Sequence, residues 1–176
     1  MIPLVEAQAE VTAACPPKPA RPVGIDDALG LVLAEAVSAA EDVPPFANTA
    51  MDGYAVRSAD VEQASADRPA QLTVIGTVAA GHAPAVPVGR REALRIMTGA
   101  PFPAGADAVA IVEVTRSEGD QVWISAPAAA GEHVRRAGED VAAGQEVFGP
   151  GTVLGPGHLG VLCSVGRERV AAVPAP

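Results

Sequence analysis

Apolar residues recur at helical spacing near the beginning of the chain and again near its end. From Pro3 to Cys15 they fall three or four positions apart on one face: Leu4, Ala7, Val11 and Cys15. Pro3 suits a first helical turn, and Pro16-Pro17 would end the helix. Pro156–Val165 is also predicted to be a helix, because a proline begins it and Gly166 follows it.

The stretch from Ile25 to Val37 is a further predicted helix. Its apolar residues share one helical face: Ile25, Leu29, Val32, Leu33 and Ala36. Asp26 and Asp27 lie in the first turn, where the helix dipole favours negative charge. Gly30 would cost this helix about 1 kcal/mol relative to alanine.

The central part of the chain has the pattern of β-strands. Apolar and polar residues alternate across Gln71–Val78, which predicts a half-buried strand. Ala108–Val114 is apolar except for Glu113, which predicts a strand buried on both faces. We also predict two shorter strands and one helical turn: Gln121–Ser125, Arg169–Val173 and Ser58–Ala64.

Turn residues at Glu118–Asp120 predict a hairpin between Gln121–Ser125 and Val109–Thr115. Gly and Pro together contribute 35 of the 176 residues, which favours many turns and short strands. The predicted fold class is therefore mainly β with a few helices (α+β).

Composition and charge narrow the function classes. The 176 residues carry 12 basic and 21 acidic side chains, so the formal net charge is −9. Such an acidic chain repels nucleic-acid phosphates, and we predict no nucleic-acid partner. We find no membrane span and no secretory signal, so the expected location is the cytoplasm. Cys15 and Cys163 are expected to be buried and free.

Three segments combine residue types that packing does not require. In Pro44–Arg57, the pair Asp52-Gly53 is either a hairpin turn or a carboxylate held for a divalent cation. In Arg95–Asp107, Thr98-Gly99 is either a simple turn or a corner whose backbone N–H groups and hydroxyl contact an oxyanion.

The third segment is Val134–Val141. Arg135 and Arg136 offer donors to an anion, and Glu139 and Asp140 offer carboxylates to its counter-cation. The same four side chains could equally form a solvated ion-pair network, and composition alone does not decide between the two interpretations.

Taken in order, the three segments closely resemble the molybdopterin molybdenumtransferase family (MoeA and the E domain of gephyrin). The resemblance rests on Asn-Thr-Ala-Met-Asp-Gly-Tyr-Ala-Val-Arg, then Arg-Ile-Met-Thr-Gly-Ala-Pro-Phe-Pro-Ala-Gly-Ala-Asp-Ala-Val, then Arg-Arg-Ala-Gly-Glu-Asp. It runs from about Ile2 to Pro174 and covers the family's N-terminal part only.

The resemblance implies an activity and a partner. Family members insert molybdenum from molybdate into adenylylated molybdopterin, releasing AMP with a requirement for Mg²⁺. They are elongated homodimers whose cleft lies between the second domain of one subunit and the third domain of the other. This chain would supply the half of the cleft near molybdate and Mg²⁺. Without the third and fourth domains, which bind the pterin, it is expected to be a fragment that is inactive alone.

The resemblance also implies domain bounds. Residues 1–21 would be an N-terminal helix and spacer, residues 22–46 plus 141–176 a mainly β first domain, and residues 47–140 a second domain inserted into the first. Carried over by position, the predicted catalytic residues are Asp52, Thr98, Arg135 and Asp140. The predicted cofactor-binding residues are Gly99 and Arg136, and the predicted metal ligands are Asp52, Asp140 and Glu139.

The charge of each residue indicates whether it suits the cation or the oxyanion. Carboxylates repel the molybdate dianion, so Asp52 and Asp140 suit Mg²⁺ or water, whereas Arg135, Thr98 and the Gly99 N–H suit the oxyanion. The alternative is a non-enzymatic dimerisation or scaffold module derived from the same family. A carbohydrate-binding module is disfavoured because Trp123 is the only tryptophan.

Overall fold

The structure, a computed structural model, describes residues 2–16 and 18–174. In chain order its elements are α1 (Leu4–Ala14), β1 (Arg21–Gly24), a 3-10 turn (Ile25–Asp27), β2 (Val32–Leu33), β3 (Val37–Ser38), β4 (Asn48–Thr49), β5 (Gly53–Val56), α2 (Ser58–Val61), β6 (Ala70–Val78), β7 (Glu92–Ile96), β8 (Ala108–Ile111), a second 3-10 turn (Val112–Val114), β9 (Thr115–Glu118), β10 (Gln121–Ile124), β11 (Val134–Arg135), β12 (Glu146–Phe148), α3 (Pro156–Ser164) and β13 (Arg169–Val173). Strands outnumber helices, and the predicted mainly β fold is confirmed.

The described chain divides into two compact units. One comprises the residues up to Glu41 together with those from Ala143 onward, and the other is Asp42–Ala142. The domain bounds inferred from the family resemblance stay a prediction. No described helix has both the length and the apolar character needed to span a bilayer.

The first unit is built around a three-stranded sheet. Its strand order is β1-β13-β2, with β13 antiparallel to both neighbours. Helix α3 and the first 3-10 turn contribute to the same apolar core, which includes Leu33, Leu154, Leu162 and Val170. Pro156 begins α3, and Gly166 follows its end with φ +75°, as the sequence pattern predicted.

The second unit is built around a six-stranded sheet with the order β8-β5-β7-β6-β10-β9. Successive side chains of its central strands point to opposite faces of the sheet, and an apolar cluster covers each face. In β8, Ala108 and Ala110 belong to one core cluster and Val109 belongs to the other. In β5, Tyr54 and Val56 face the first cluster while Ala55 faces the second. The burial of Ala108–Ala110 on both faces is confirmed.

The helix predicted over Ile25–Val37 is wrong. Only a single 3-10 turn forms, and the chain then continues into β2 and β3. Gly30 adopts φ +77°, in the left-handed region where a right-handed helix cannot continue. Its N–H donates to the Leu154 carbonyl at 2.8 Å, and the Leu33 N–H donates to the Thr152 carbonyl at 2.8 Å. Both N–H groups therefore donate to carbonyls of a distant segment and not to carbonyls one helical turn earlier in the chain.

The hairpin forms, but the strand predicted to pair with Gln121–Ser125 is wrong. Strand β10 pairs with β9 and with β6, whereas β8 pairs with β5. The 3-10 turn at Val112–Val114 ends β8, so Thr115 begins a new strand instead of prolonging the apolar one. The hairpin turn itself lies at Gly119, where φ is +59°.

Three smaller predictions have mixed outcomes. Helix α1 is confirmed, although Pro17, predicted to help end it, lies outside the described residues. Cys15 and Cys163 are free as predicted, but both are exposed, so their predicted burial is wrong. Cys15 follows α1, a helix in which no residue is buried.

Gly53 is required where β5 meets β8. A Cβ on this residue would overlap the Ala110 carbonyl oxygen. We therefore expect Gly53→Ala to lower the free energy of unfolding by about 1–3 kcal/mol, since the strands must separate to accept it. Denaturant unfolding checks this result.

Gly160→Ala in α3 is the matched control. A Cβ there meets nothing within 4 Å, and alanine favours a helix, so this variant should be at least as stable as the original chain. Equal stability of the Gly53→Ala variant and the original chain would contradict the close approach of β5 and β8.

Candidate functional site

The two buried residues of β4 connect the three segments singled out in the sequence. On one side, Asn48 pairs with Arg135 and Thr49 pairs with Val134 of β11. On the other side, the Thr49 N–H donates to the Ala100 carbonyl at 3.2 Å, and the Gly99 N–H donates to the Thr49 carbonyl at 2.9 Å. Backbone hydrogen bonds therefore hold the segments around Asp52, Thr98 and Arg135 next to one another.

Thr49 also fixes the turn that leads to Asp52. Its hydroxyl donates to the Met51 carbonyl at 2.6 Å and accepts the Met51 N–H at 3.2 Å. Its side chain is almost fully buried, so this contact is shielded from water. Gly53 then begins β5, which pairs with β7 and β8. The Asp52-Gly53 pair is therefore not a hairpin turn between β4 and β5.

Asp52 is anchored through one oxygen. Its Oδ1 accepts hydrogen bonds from the Thr98 backbone N–H and the Thr98 hydroxyl, both at 2.7 Å. These donors, with a smaller effect from the positive charge of Arg95, lower the pKa of Asp52 below the ordinary carboxyl value. The residue is exposed, and among the described residues nothing hydrogen-bonds Oδ2. Asp52 therefore presents one oxygen of its carboxylate without a hydrogen-bond partner among the described residues.

The predicted oxyanion role of the Thr98–Gly99 corner needs correction. The Thr98 N–H and hydroxyl both donate to Asp52, and the Gly99 N–H donates to Thr49. All three donors are used inside the protein, so none points to an external anion. Gly99 is needed for its backbone, which has φ +77°. Thr98 therefore positions the Asp52 carboxylate, and Gly99 bonds the segment to β4.

Arg95 is a neighbour of Asp52 that was not singled out from the sequence. It lies opposite Tyr54 in the β5–β7 pairing, and its Nη1 donates to the Tyr54 hydroxyl at 3.2 Å. Its guanidinium carbon lies 5.7 Å from the centre of the Tyr54 ring. The sequence signal was an arginine within the run Ala-Leu-Arg-Ile, two residues before the Met-Thr-Gly segment.

Arg135 is held by the two acidic residues that follow it. Its Nη2 donates to Asp140 Oδ1 at 2.6 Å, and its Nε donates to Glu139 Oε1 at 3.3 Å. The hydrogen bond to Asp140, followed by that to Glu139, raises the pKa of Arg135 above its usual value. The side chains remain partly exposed, so this is the ion-pair network left open by the sequence.

Arg136 differs from its neighbour. Its backbone N–H donates to Glu139 Oε2 at 3.0 Å, but its exposed guanidinium has no ion-pair or hydrogen-bond partner among the described residues. Of the two adjacent arginines, Arg136 is therefore the one whose side-chain donors are unused.

The carboxylates of Asp52, Glu139 and Asp140 differ in how available they are to a divalent cation. Mg²⁺ is commonly held by one or two protein carboxylates together with substrate phosphates. Asp52 fits this use through Oδ2, whereas Glu139 and Asp140 already face Arg135. Within the described residues, no group of three or more His, Cys, Asp or Glu side chains is placed to hold a metal ion.

Comparisons with known proteins place the chain in a family. Residues 2–166 match the family model for the MoeA N-terminal region (domain I and II), and the chain belongs to that family. Molybdopterin molybdenumtransferase 2 of Mycobacterium tuberculosis is 42% identical over 166 residues, covering 94% of this chain and 40% of that protein. Molybdopterin molybdenumtransferase of Staphylococcus aureus is 35% identical over 175 residues, covering 99% of this chain and 42% of that protein.

The fold is shared with a solved relative. The crystal structure of the molybdopterin biosynthesis MoeA protein from Pyrococcus horikoshii superposes with a TM-score of 0.91 at 35% identity. The match covers 98% of this chain and 46% of that one. The predicted MoeA N-terminal-like fold is confirmed. The chain spans about two fifths of the length of the curated relatives.

The Thr98 contacts predict a measurable change in Asp52. Thr98→Val keeps the backbone hydrogen bond but removes the hydroxyl, so the pKa of Asp52 should rise towards its ordinary value. Thr98→Ser keeps the hydroxyl and should leave the pKa nearly unchanged. Carboxyl-carbon NMR titration of Asp52 measures both variants.

The same contact has a pH-dependent effect on stability. A lowered carboxyl pKa stabilises the fold above the unfolded value of about 3.9, and this contribution is lost as pH falls through the lowered pKa. Thr98→Val should reduce it. Identical Asp52 titration curves in the valine and serine variants would contradict the role of the hydroxyl.

Proposed function

We propose that this chain acts in molybdenum cofactor biosynthesis as the N-terminal part of a molybdopterin molybdenumtransferase. In this role it would help insert molybdenum from molybdate into adenylylated molybdopterin, with release of AMP. The observation that carries the proposal is the pairing of β4 with both neighbouring segments, which gathers Asp52, Thr98 and Arg135 in a member of this family.

Asp52 is the proposed reactive carboxylate. Its anchored Oδ1 fixes the side chain, and the carboxylate, whose pKa Thr98 lowers further below neutral pH, carries a full negative charge there. The outward Oδ2 can accept a hydrogen bond from water or contact a cation beside the phosphate that is cleaved. Thr98 is then a positioning residue, because it acts through Asp52.

The arginines are the proposed anion contacts. Arg136 has unused guanidinium donors, and Arg135 is oriented by Glu139 and Asp140. A guanidinium suits an oxyanion because it offers parallel donors and remains charged. We therefore propose Glu139 and Asp140 as residues that orient Arg135, in place of their predicted role as metal ligands.

A bound Mg²⁺ would neutralise phosphate charge during cleavage. Asp52 is the residue of this chain that we propose to hold it, together with oxygens of the substrate. The homodimer with a cleft shared between subunits, the dependence on a separate pterin-binding region and the cytoplasmic location are further parts of this proposal.

A chimera tests the activity. Residues 2–166 of this chain would replace the matching region of the Mycobacterium tuberculosis molybdopterin molybdenumtransferase 2. The chimera should restore molybdenum cofactor in a strain that lacks this transferase and should release AMP when purified. A folded chimera that does neither would contradict the proposal and favour the scaffold alternative.

Asp52→Asn in the chimera should reduce molybdenum insertion on the order of 10²-fold, because the amide carries no charge for the cation. Circular dichroism and soluble yield monitor folding. Insertion at the original rate at limiting Mg²⁺ would disprove the assignment of Asp52.

Arg135→Ala should reduce insertion by about 10²-fold, since it removes an anion contact. Arg135→Lys should recover only part of the rate, because lysine lacks the planar fork that reaches both acidic residues. Arg116→Ala is the charge-matched control, because Arg116 of β9 lies against Trp123 of β10, outside the candidate site. Equal rates in all three variants would contradict the anion role.

A further inference from the structure

A polar cavity of about 610 Å³ lies in the second unit, and Asp52, Thr98 and Arg135 are not among its lining residues. Three arginines line it: Arg68, Arg90 and Arg91. Cavities of this size fall within the range of small-molecule sites, which is roughly 300–1,000 Å³. In a chain with a formal net charge of −9, three guanidiniums around one cavity form a local region suited to an anion.

The cavity lies at the opposite end of the central strands from Asp52. Strand β5 begins directly after Asp52 and leads to α2, which lines the cavity. The neighbouring strand β7 runs the other way, from Arg91 at the cavity to the Thr98 corner. Five strand residues separate the two ends, on the order of 15 Å. The cavity is therefore a different site.

The backbone holds Arg91 in a conformation that disfavours arginine. Its φ is +59°, in the left-handed region that suits glycine. Three contacts keep it there: its N–H donates to Asp60 Oδ2 at 2.8 Å, its carbonyl accepts the Thr73 N–H at 3.0 Å, and its Nη2 donates to the Gln71 carbonyl at 3.4 Å. These contacts fix the Arg91 backbone at the edge of the cavity.

The preceding residues are fixed as well. The Gly89 N–H donates to Glu92 Oε2 at 2.8 Å, so the loop is closed on both sides of Arg90. Within the described residues, no ion pair joins Arg68, Arg90 or Arg91 to a carboxylate, although Asp60 and Glu62 line the same cavity. The Asp60 carboxylate is used to hold the Arg91 backbone. Within the described residues, the guanidiniums of Arg68 and Arg90 have no hydrogen-bond partner, and that of Arg91 keeps further donors beyond its bond to the Gln71 carbonyl, so all three can contact a ligand.

We propose that this cavity binds a phosphate chain, such as that of a nucleoside triphosphate or of inorganic tripolyphosphate. Guanidinium groups recognise phosphate oxygens through parallel charge-assisted hydrogen bonds, and several arginines favour a ligand with several phosphates. No aromatic side chain stands among the described lining residues, so a base has no ring to stack on. Recognition is through the phosphates alone.

Calorimetric titration of the 176-residue chain with four probes tests this site. The probes are tripolyphosphate, ATP, adenosine and inorganic phosphate, all without divalent cations so that phosphate charge is not masked. Tripolyphosphate and ATP should bind with affinities within about threefold of each other, whereas adenosine should not bind. Inorganic phosphate should bind at least tenfold more weakly, and all binding should weaken as salt is added.

Two variants locate the binding. Arg91→Gly places the favoured residue at φ +59°, so it should fold at least as well as the original chain and yet reduce tripolyphosphate affinity about tenfold or more. The double variant Arg68→Ala/Arg90→Ala should have the same effect on affinity. Arg116→Ala, which removes an arginine outside the cavity, should bind like the original chain.

Three results would overturn the proposal. The first is no tripolyphosphate binding by the original chain at millimolar concentration. The second is ATP binding without tripolyphosphate binding, which would mean that the nucleoside is recognised. The third is an equal loss of affinity in Arg116→Ala and Arg91→Gly, which would mean that binding reflects overall charge and not this cavity.

Discussion

The arrangement of the candidate site depends on the backbone hydrogen bonds of one two-residue strand. Asn48 and Thr49 bond to Arg135 and Val134 on one side and to the Gly99–Ala100 segment on the other. Buried backbone groups need such partners, because leaving them unpaired is costly. The same bonds that satisfy β4 therefore also set where Asp52, Thr98 and Arg135 stand.

Sequence patterns predicted the elements that depend on local rules. Helix α3 has proline at its start and glycine after its end. Strand β6 alternates in burial only as far as Val74, where an irregularity in its pairing with β7 places Val78 in the other core cluster. The pattern failed at Ile25–Val37, where the donors of Gly30 and Leu33 bond to carbonyls more than a hundred residues away in the chain. Such long-range hydrogen bonds override a helical spacing of apolar residues, and a single sequence does not display them.

The three segments of the candidate site could be picked out in the sequence, but the contacts among them could not. The motifs indicated Asp52, Thr98 and Arg135, and the fold places their segments side by side. Which donors remain available could not be inferred, since the Gly99 N–H and the Thr98 hydroxyl are both used within the protein. Arg95 was overlooked because it becomes a neighbour of Asp52 only through the pairing of β5 with β7.

The ion pairs of Arg135 have a consequence for how an anion would arrive. Among the residues of the candidate site, the three guanidiniums of Arg95, Arg135 and Arg136 are matched by three carboxylates, those of Asp52, Glu139 and Asp140. A balanced surface on an acidic protein produces no long-range field that attracts a dianion from solution. Under the proposed function, oxyanions would then be discriminated at contact distance, where the orientation of each guanidinium decides the outcome.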